Sequence, residues 1–323
     1  MKASLPASVR SAAGLLSRAA LARCAAAARI PAHGVARVNG AGLSAHALDG
    51  LLSPAHPAAC RALPWLAHSA PARCDIRTFM PQAQSVVVCA FPYASRLSGH
   101  SGVIARYACG DDYHACAAAR LEELARMLRE ECGAFPYALS VDAAPVAERY
   151  WAVAAGLGWI GDNGCLITPA FGSWVVVGVL ALPLEIESDT PLRPRCGACS
   201  LCRQHCPTGA LAAARVCQVE RCISYWTVEA RQPLPADIRA ALGQARFGCD
   251  RCQEVCPFNA VDCGAARLFA PRHELVTIRA ADYERLPHAE FLAAVRGTPV
   301  ARSARRGVRV HERDAGAFAP DPR

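Results

Sequence analysis

Apolar residues along the first 185 positions follow two rhythms. From Tyr113 to Glu131 they return every three or four residues, at Leu121, Leu124, Met127 and Leu128, which predicts one amphipathic helix. Val146–Ala155 repeats that pattern and meets Gly156 and Gly158, so a second helix should end there. A weaker helical pattern covers Ser11–Ala28 and leads toward a strand near Gly34–Val38. Elsewhere the apolar positions run together. Ser85–Ala90, after Met80 and Pro81, is short and β-branched, and reads as a buried strand. Trp174–Leu182 reads as a central strand, being too short for the roughly 20 residues that cross a bilayer. Strands and helices alternating through residues 30–185 favour an α/β domain.

After Pro183 the pattern breaks. Pro191 and Pro194 bracket a linker, and a cysteine-rich stretch begins at Cys196. The expected organisation is a domain over 1–185, a compact module over 190–265, and a polar, Arg-rich, partly disordered extension over 266–323. The 323-residue chain, 53% hydrophobic, is long enough for a sizeable core plus a smaller module and too apolar to be disordered. Its net charge of +8 is almost all arginine, since Lys2 is the only lysine; such an excess permits nucleic-acid binding without showing it. Residues 1–48 carry no acid and five arginines between Arg10 and Arg37. That superficially resembles a transit peptide, but a first amphipathic helix explains it as well. No twin-arginine pair precedes an apolar stretch, which argues against an export signal and for a cytoplasmic, membrane-free protein.

Eighteen cysteines narrow the chemistry further. CGACSLCRQHCPTGA at 196–210 is echoed by CDRCQEVCPFNA at 249–260, a half-repeat with CxxC spacing. Thiolate metal ligands in a reducing compartment explain such runs better than disulfides do. In a C-x2-C-x2-C-x3-C-P run, three thiolates close around one 4Fe–4S cubane and the fourth reaches the other. The same exchange here assigns Cys196, Cys199, Cys202 and Cys256 to one cluster. The second takes Cys206, Cys249, Cys252 and either Cys217 or Cys222. A zinc ribbon would also use paired CxxC units, but it does not require Cys-Pro in both halves. Two cubanes relay single electrons, so the reaction itself must lie upstream.

Upstream, three stretches stand out: Ile104–Tyr107 with Gly110–His114, Val141–Arg149, and Ala155–Asn163. Gly156, Gly158 and Gly161 permit close approach to a flat ligand without forming a dinucleotide fingerprint. Asp142 sits before a helix start and reads either as its N-cap or as a carboxyl tuned to donate a proton.

LPWL at 63–66, MPQAQSVVVCAFPY at 80–93, ARYACGDDYH at 105–114, VDAAPVAER at 141–149, AGLGWIGDN at 155–163, RCISYWTVE at 221–229 and both cysteine runs together resemble the epoxyqueuosine reductase family. The resemblance covers about residues 60–310 and implies a nitroreductase-like α/β domain that binds cobalamin, followed by a two-cluster ferredoxin-like α+β domain. It implies reduction of epoxyqueuosine in the wobble position of tRNA, with electrons passed through the clusters to cobalt and a carboxylic acid protonating the departing oxygen. It places the proton donor on Asp142, lines the corrin pocket with Arg106, Asp142 and Ser224, and takes Cys222 rather than Cys217 as the remaining ligand. An electron-donor protein such as a flavodoxin or ferredoxin and a monomeric state go with it.

Two departures from the family concern the tRNA. Asp162 stands where the family usually has lysine, inverting the charge there. The chain is also expected to be a short form without the family's C-terminal helical repeats, and Arg296–Arg309 reads equally as a phosphate contact or as a solvated tail. A reductase of another small substrate, dehalogenase-like, and a non-catalytic electron carrier are the competing readings.

Overall fold

The computed structural model describes residues 15–38, 62–93, 95–264 and 267–301. The expectations for residues 11–14 and for the tail beyond residue 301 lie outside these described residues. The chain opens with β1 (Leu15–Leu16), α1 (Arg18–Ala27) and β2 (Ala32–Arg37). It continues through α2 (Pro64–Cys74), β3 (Ser85–Pro92), α3 (Tyr113–Cys132), β4 (Ala138–Ser140) and α4 (Glu148–Ala154). The short strands β5 (Trp159–Ile160) and β6 (Leu166–Ile167) form a hairpin, followed by β7 (Val175–Leu182) and β8 (Glu185–Ile186).

Four strands make the central sheet in the order β2-β3-β7-β4, every neighbour antiparallel. β3 is buried along its whole length, because the two-residue period of a strand sends its side chains to two covered faces. Val87, Cys89 and Phe91 join Leu180 and Leu182 under α1 and α3. Val86, Val88 and Ala90 join Val179 and Ala181 under α4, where Trp151 and Ala152 fill the layer.

The helix expected over Tyr113–Glu131 forms as α3, with Asp112 as N-cap and Gly133 just past its end. It buries Tyr113, Ala117, Leu121, Leu124, Ala125 and Leu128, one face at helical spacing. Truncating any of the fully buried leucines to alanine should cost about 2–5 kcal/mol. Among the described residues no helix is long and apolar enough to cross a membrane.

The cysteine-rich part adds α5 (Leu201–Gln204), the small hairpin β9 (Leu211–Ala213) and β10 (Val216–Cys217), a π-helical turn at Tyr225–Glu229, α6 (Ala236–Ala241) and α7 (Arg251–Glu254). It is fastened to the sheet by buried polar contacts. Asn259 Nδ2 donates to Ser173 Oγ at 2.8 Å and to the Gln253 carbonyl at 2.8 Å, while its Oδ1 accepts from the Ser173 amide at 2.6 Å. Gly172 (φ +57°) makes this approach possible, since a Cβ there would stand 2.2 Å from Asn259 Oδ1.

Three further helices, α8 (His273–Thr277), α9 (Ala280–Arg285) and α10 (His288–Ala294), close a separate apolar cluster around Val103, Ile104, Ala108 and Cys109. They clamp the 103–109 segment from behind, and Ile104 bridges Phe247 of the cysteine-rich part.

Candidate active site

Asp142 lies just past β4 in the left-handed region (φ +57°), a conformation that costs most non-glycine residues about 1–2 kcal/mol but that Asp and Asn tolerate. Glu148, in the first turn of α4, stabilises that turn. Its Oε1 accepts from the Asp142 amide at 3.1 Å and from Ser140 Oγ at 2.9 Å. Burial pushes the Glu148 carboxyl up. The helix itself begins six residues after Asp142 with Ala147 at its N-cap, so the reading of Asp142 as a cap is corrected. Proline at 145 and the left-handed turn separate the two.

The Asp142 side chain is 67% exposed and faces the start of α3. Tyr113 Oη donates to Asp142 Oδ2 at 2.6 Å, and His114 Nε2 lies 3.8 Å from the same oxygen. The other ring nitrogen of His114 is 2.6 Å from Asp112 Oδ1, and Asp112 also accepts from the His114 amide at 3.1 Å. The helix cap thus fixes the imidazole, which stacks on Tyr113 at 4.0 Å. The assembly is an exposed carboxyl with two side-chain partners on a helix N-terminus, able to hold a proton and pass it on.

Tyr107 connects this edge to the cysteine-rich part. Its ring packs edge-on against Tyr113 at 5.9 Å and tilts against Phe247 at 6.2 Å. Burial, with Asp250 and Asp142 on either side, pushes its hydroxyl well above the usual tyrosine range. Beside it, Arg106 donates its amide to Asp250 Oδ2 at 2.8 Å and Nη1 to Glu254 Oε1 at 2.8 Å. Its guanidinium lies 4.8 Å from the centre of the Trp174 ring. The Arg106 Nε is buried without a partner.

The cysteines gather in two groups, each drawing on both runs. Cys256 feels Cys196 and Cys199, while Cys202 feels Cys199 and Cys256. Cys222 lies beside Cys249 and Cys252, and Cys217 beside Cys222 and Cys206. The hydrogen bond from Cys217, with the amides of Tyr225 and Ser224, pulls Cys222 down to about 6 against the effect of burial. Ser224 therefore aims its amide at the Cys222 sulfur. Burial pushes Cys249 up to about 11. Nine half-buried thiols in two such groups, with backbone N–H groups turned on several sulfurs, are chemically suited to 4Fe–4S clusters.

Two thiols that spacing does not single out belong to this neighbourhood. Cys165, in the β5–β6 hairpin, lies beside Cys252, and Cys217 lies beside Cys222. Cys263 is a core thiol packed with Phe269. Tyr113, His114 and Glu148 fall within stretches that stand out in sequence, yet their convergence on Asp142 depends on the fold.

A sheet domain joined to a double-cluster module defines the class: an iron–sulfur oxidoreductase. Residues 73–143 match the family model "Epoxyqueuosine reductase QueG, DUF1730", and residues 195–259 match "4Fe-4S double cluster binding domain". The epoxyqueuosine reductase of Gloeobacter violaceus is 37% identical over 295 residues, covering 87% of this chain and 90% of the relative. That of Xanthomonas campestris pv. campestris is 41% identical over 214 residues, 64% of this chain and 58% of the relative. The chain belongs to the epoxyqueuosine reductase family. A crystal structure of epoxyqueuosine reductase with a tRNA-Tyr epoxyqueuosine-modified stem loop shares the fold, with a TM-score of 0.76 at 24% identity, over 88% of this chain and 78% of that one.

Proposed function

We propose that the chain reduces epoxyqueuosine to queuosine in the wobble position of tRNA, with Asp142 as proton donor and two 4Fe–4S clusters as the electron supply. Removing an epoxide oxygen as water takes two electrons and two protons. The observation that carries the reading is Asp142, open to solvent, fixed by Tyr113 and His114, and separated by Tyr107 from Asp250 between two ligand cysteines. Asp142 protonates the departing oxygen, and His114, steadied by Asp112, stands where it can return a proton to the carboxylate.

The ligand sets that fit this arrangement are Cys196, Cys199, Cys202 and Cys256 for the first cluster, and Cys206, Cys222, Cys249 and Cys252 for the second. Cobalamin, when bound, supplies a reducible cobalt that drives C–O cleavage. The unpaired Nε of Arg106 and the open carboxyl of Asp142 suit the polar rim of such a cofactor, and Ser224 is proposed to join them. In this reading residues 1–185 hold the cofactor, 190–265 form the ferredoxin-like module, and a flavodoxin- or ferredoxin-type protein feeds a cytoplasmic monomer.

The test is anaerobic reconstitution with iron, sulfide and cobalamin, followed by reaction with tRNA carrying epoxyqueuosine and analysis of the nucleosides by mass spectrometry. Loss of one oxygen from the modified base is the expected result. A protein holding about eight irons and cobalamin that leaves this tRNA unchanged would overturn the substrate assignment.

A further inference from the structure

The bend that opens α3 is held by the segment that follows the cysteine-rich part. Phe269–Arg272 runs along Cys109–Asp112: Gly110 bridges Pro271, and the Arg272 amide donates to the Cys109 carbonyl at 2.7 Å. A Cβ on Gly110 would stand 2.3 Å from the Phe269 ring, so only glycine admits this approach. Arg272 then reaches in two directions. Its Nη2 and Nε donate to Asp111 Oδ1 at 2.6 and 3.2 Å, and its Nη1 donates to the Arg296 carbonyl at 2.8 Å. The next carbonyl, that of Gly297, accepts from the Asp112 amide at 2.8 Å. One guanidinium thus ties together the start of α8, the turn after α10 and the bend before α3.

That bend carries the imidazole beside Asp142. A carboxylate only accepts, so the 2.6 Å contact between Asp112 Oδ1 and His114 Nδ1 puts a hydrogen on Nδ1. Nε2 is left facing Asp142 Oδ2 at 3.8 Å, with the ring stacked on Tyr113. Contacts of this kind tighten when substrate binds. After Asp142 has given up its proton, a His114 imidazolium passes its Nε2 proton to Oδ2. The neutral ring keeps its Nδ1 proton on Asp112 and takes another from solvent at Nε2. Each transfer needs Asp112 to stay where it is. The side chains of Arg272 and Asp111 are 29% and 58% exposed, so their pair does little for global stability and much for the placement of this bend.

Resting on the reading of Asp142 as proton donor, we infer that Arg272 is a positioning residue for the resupply of that proton: it holds the Asp111–Asp112 bend so that Asp112 keeps His114 Nε2 facing Asp142. The helices after the cysteine-rich part therefore serve the proton side of the reaction, although none of their side chains touches the carboxyl.

The test uses the anaerobically reconstituted full chain as wild type, Arg272→Ala, Asp111→Ala, the double variant and Arg272→Lys, each checked for about eight irons. Long-range proton–nitrogen NMR spectra of chain labelled with heavy nitrogen at its ten histidines read the tautomer without substrate, and His114→Gln assigns the ring. Wild type should show His114 protonated at Nδ1, and both alanine variants a mixture of tautomers. With tRNA carrying epoxyqueuosine, either alanine variant should lose about tenfold in kcat at unchanged KM. The double variant should fall no further, because both changes break one contact. Added imidazole, a small proton donor, should restore most of the loss, and Arg272→Lys, which keeps a cation on Asp111, part of it.

A His114 ring that keeps its tautomer in Arg272→Ala, or changes it without slowing turnover, overturns the inference. A raised KM with kcat intact would make Arg272 a phosphate contact, and a loss that imidazole does not restore would make it a fastening of the fold. Either result overturns it too. If Asp142→Asn turns over as fast as wild type, the proton-donor reading itself falls whatever the tautomer shows, so the two failures are distinguishable.

Discussion

The turn that presents Asp142 and the loops that present Cys249 and Cys252 flank the same short segment, Arg106–Ala108, but they are held by different means. Asp142 is exposed, sits in left-handed backbone, and is tied by side chains alone: Glu148 on its amide, Tyr113 and His114 on its carboxyl. The cysteines are half-buried, turned by short helices, and met by backbone amides from Ser224, Tyr225, Arg251 and Phe258. In the proposed function the difference follows from what each side moves. A proton donor has to be recharged, which needs exposure and a partner that exchanges protons. An electron carrier holds its potential through fixed hydrogen bonds and a fixed degree of solvent exclusion.

The largest effect should come from cutting the electron side alone. Cys252→Ala should reduce iron from about eight to about four per chain and abolish turnover, as iron analysis and nucleoside mass spectrometry would show. Full iron retention would remove Cys252 from the ligand set. Cutting the proton side alone should leave the clusters untouched. Asp142→Asn keeps the left-handed turn, since Asn tolerates that backbone, and should slow turnover by roughly 10²–10⁴-fold with iron content unchanged. If cluster content fell with it, the two sides would not be independent.

The boundary between the sides is probed by Arg106. Its side chain is 14% exposed and that of Asp250 is 5% exposed, so Arg106→Ala removes the neighbouring cation from a buried carboxylate that keeps the residue 106 amide and Gln253 as neutral donors. Denaturant unfolding of the assembled chain should show a loss of about 3–5 kcal/mol. Arg126→Ala, which breaks exposed pairs with Glu123 and Glu130 on α3, should leave the unfolding midpoint essentially unchanged.

The smallest effect concerns Glu148. Its folded-state pKa is raised above 4.5 by burial, so the stability it contributes is complete below that value and is lost as pH rises through the folded pKa. Gln at this position keeps the acceptor for Ser140 and Asp142 without the charge. Thermal unfolding curves of wild type and Glu148→Gln should therefore converge in acid and separate toward neutral pH, with the variant the more stable. Parallel curves would mean that the carboxyl does not titrate in that window.

Local rhythm makes several elements legible in the sequence itself. Tyr113–Glu131 forms α3, Ser85–Ala90 the first part of β3, and Trp174–Leu182 forms β7 from Val175. The order and antiparallel sense of the sheet are not legible, because β3 pairs with β7 across some 90 residues and periodicity carries no such information. The cysteine spacing shows which thiols can act together, since that chemistry is written in short repeats.

Arg106 is different. The resemblance places it at the corrin edge, while its visible partners are Asp250 and Glu254, 144 and 148 residues away. Asp142 reads as a helix cap in sequence because an acid before an apolar run normally is one. Only the fold shows the left-handed turn and the helix starting later. Cys165 has no local signal for this placement; its thiol neighbour Cys252 lies 87 residues further along the chain.

The seam at Gly172 bears on how such a chain can evolve. Two-cluster modules look like cassettes that could be exchanged between enzymes, but here Asn259 enters a space left by a missing side chain and bonds Ser173 twice and the Gln253 carbonyl once, while Ser173 Oγ also donates to Gln253 Oε1. A module grafted from a distant source would have to bring that asparagine and find that glycine. Its inheritance should therefore be linked: residues on the two sides of the seam change together or not at all.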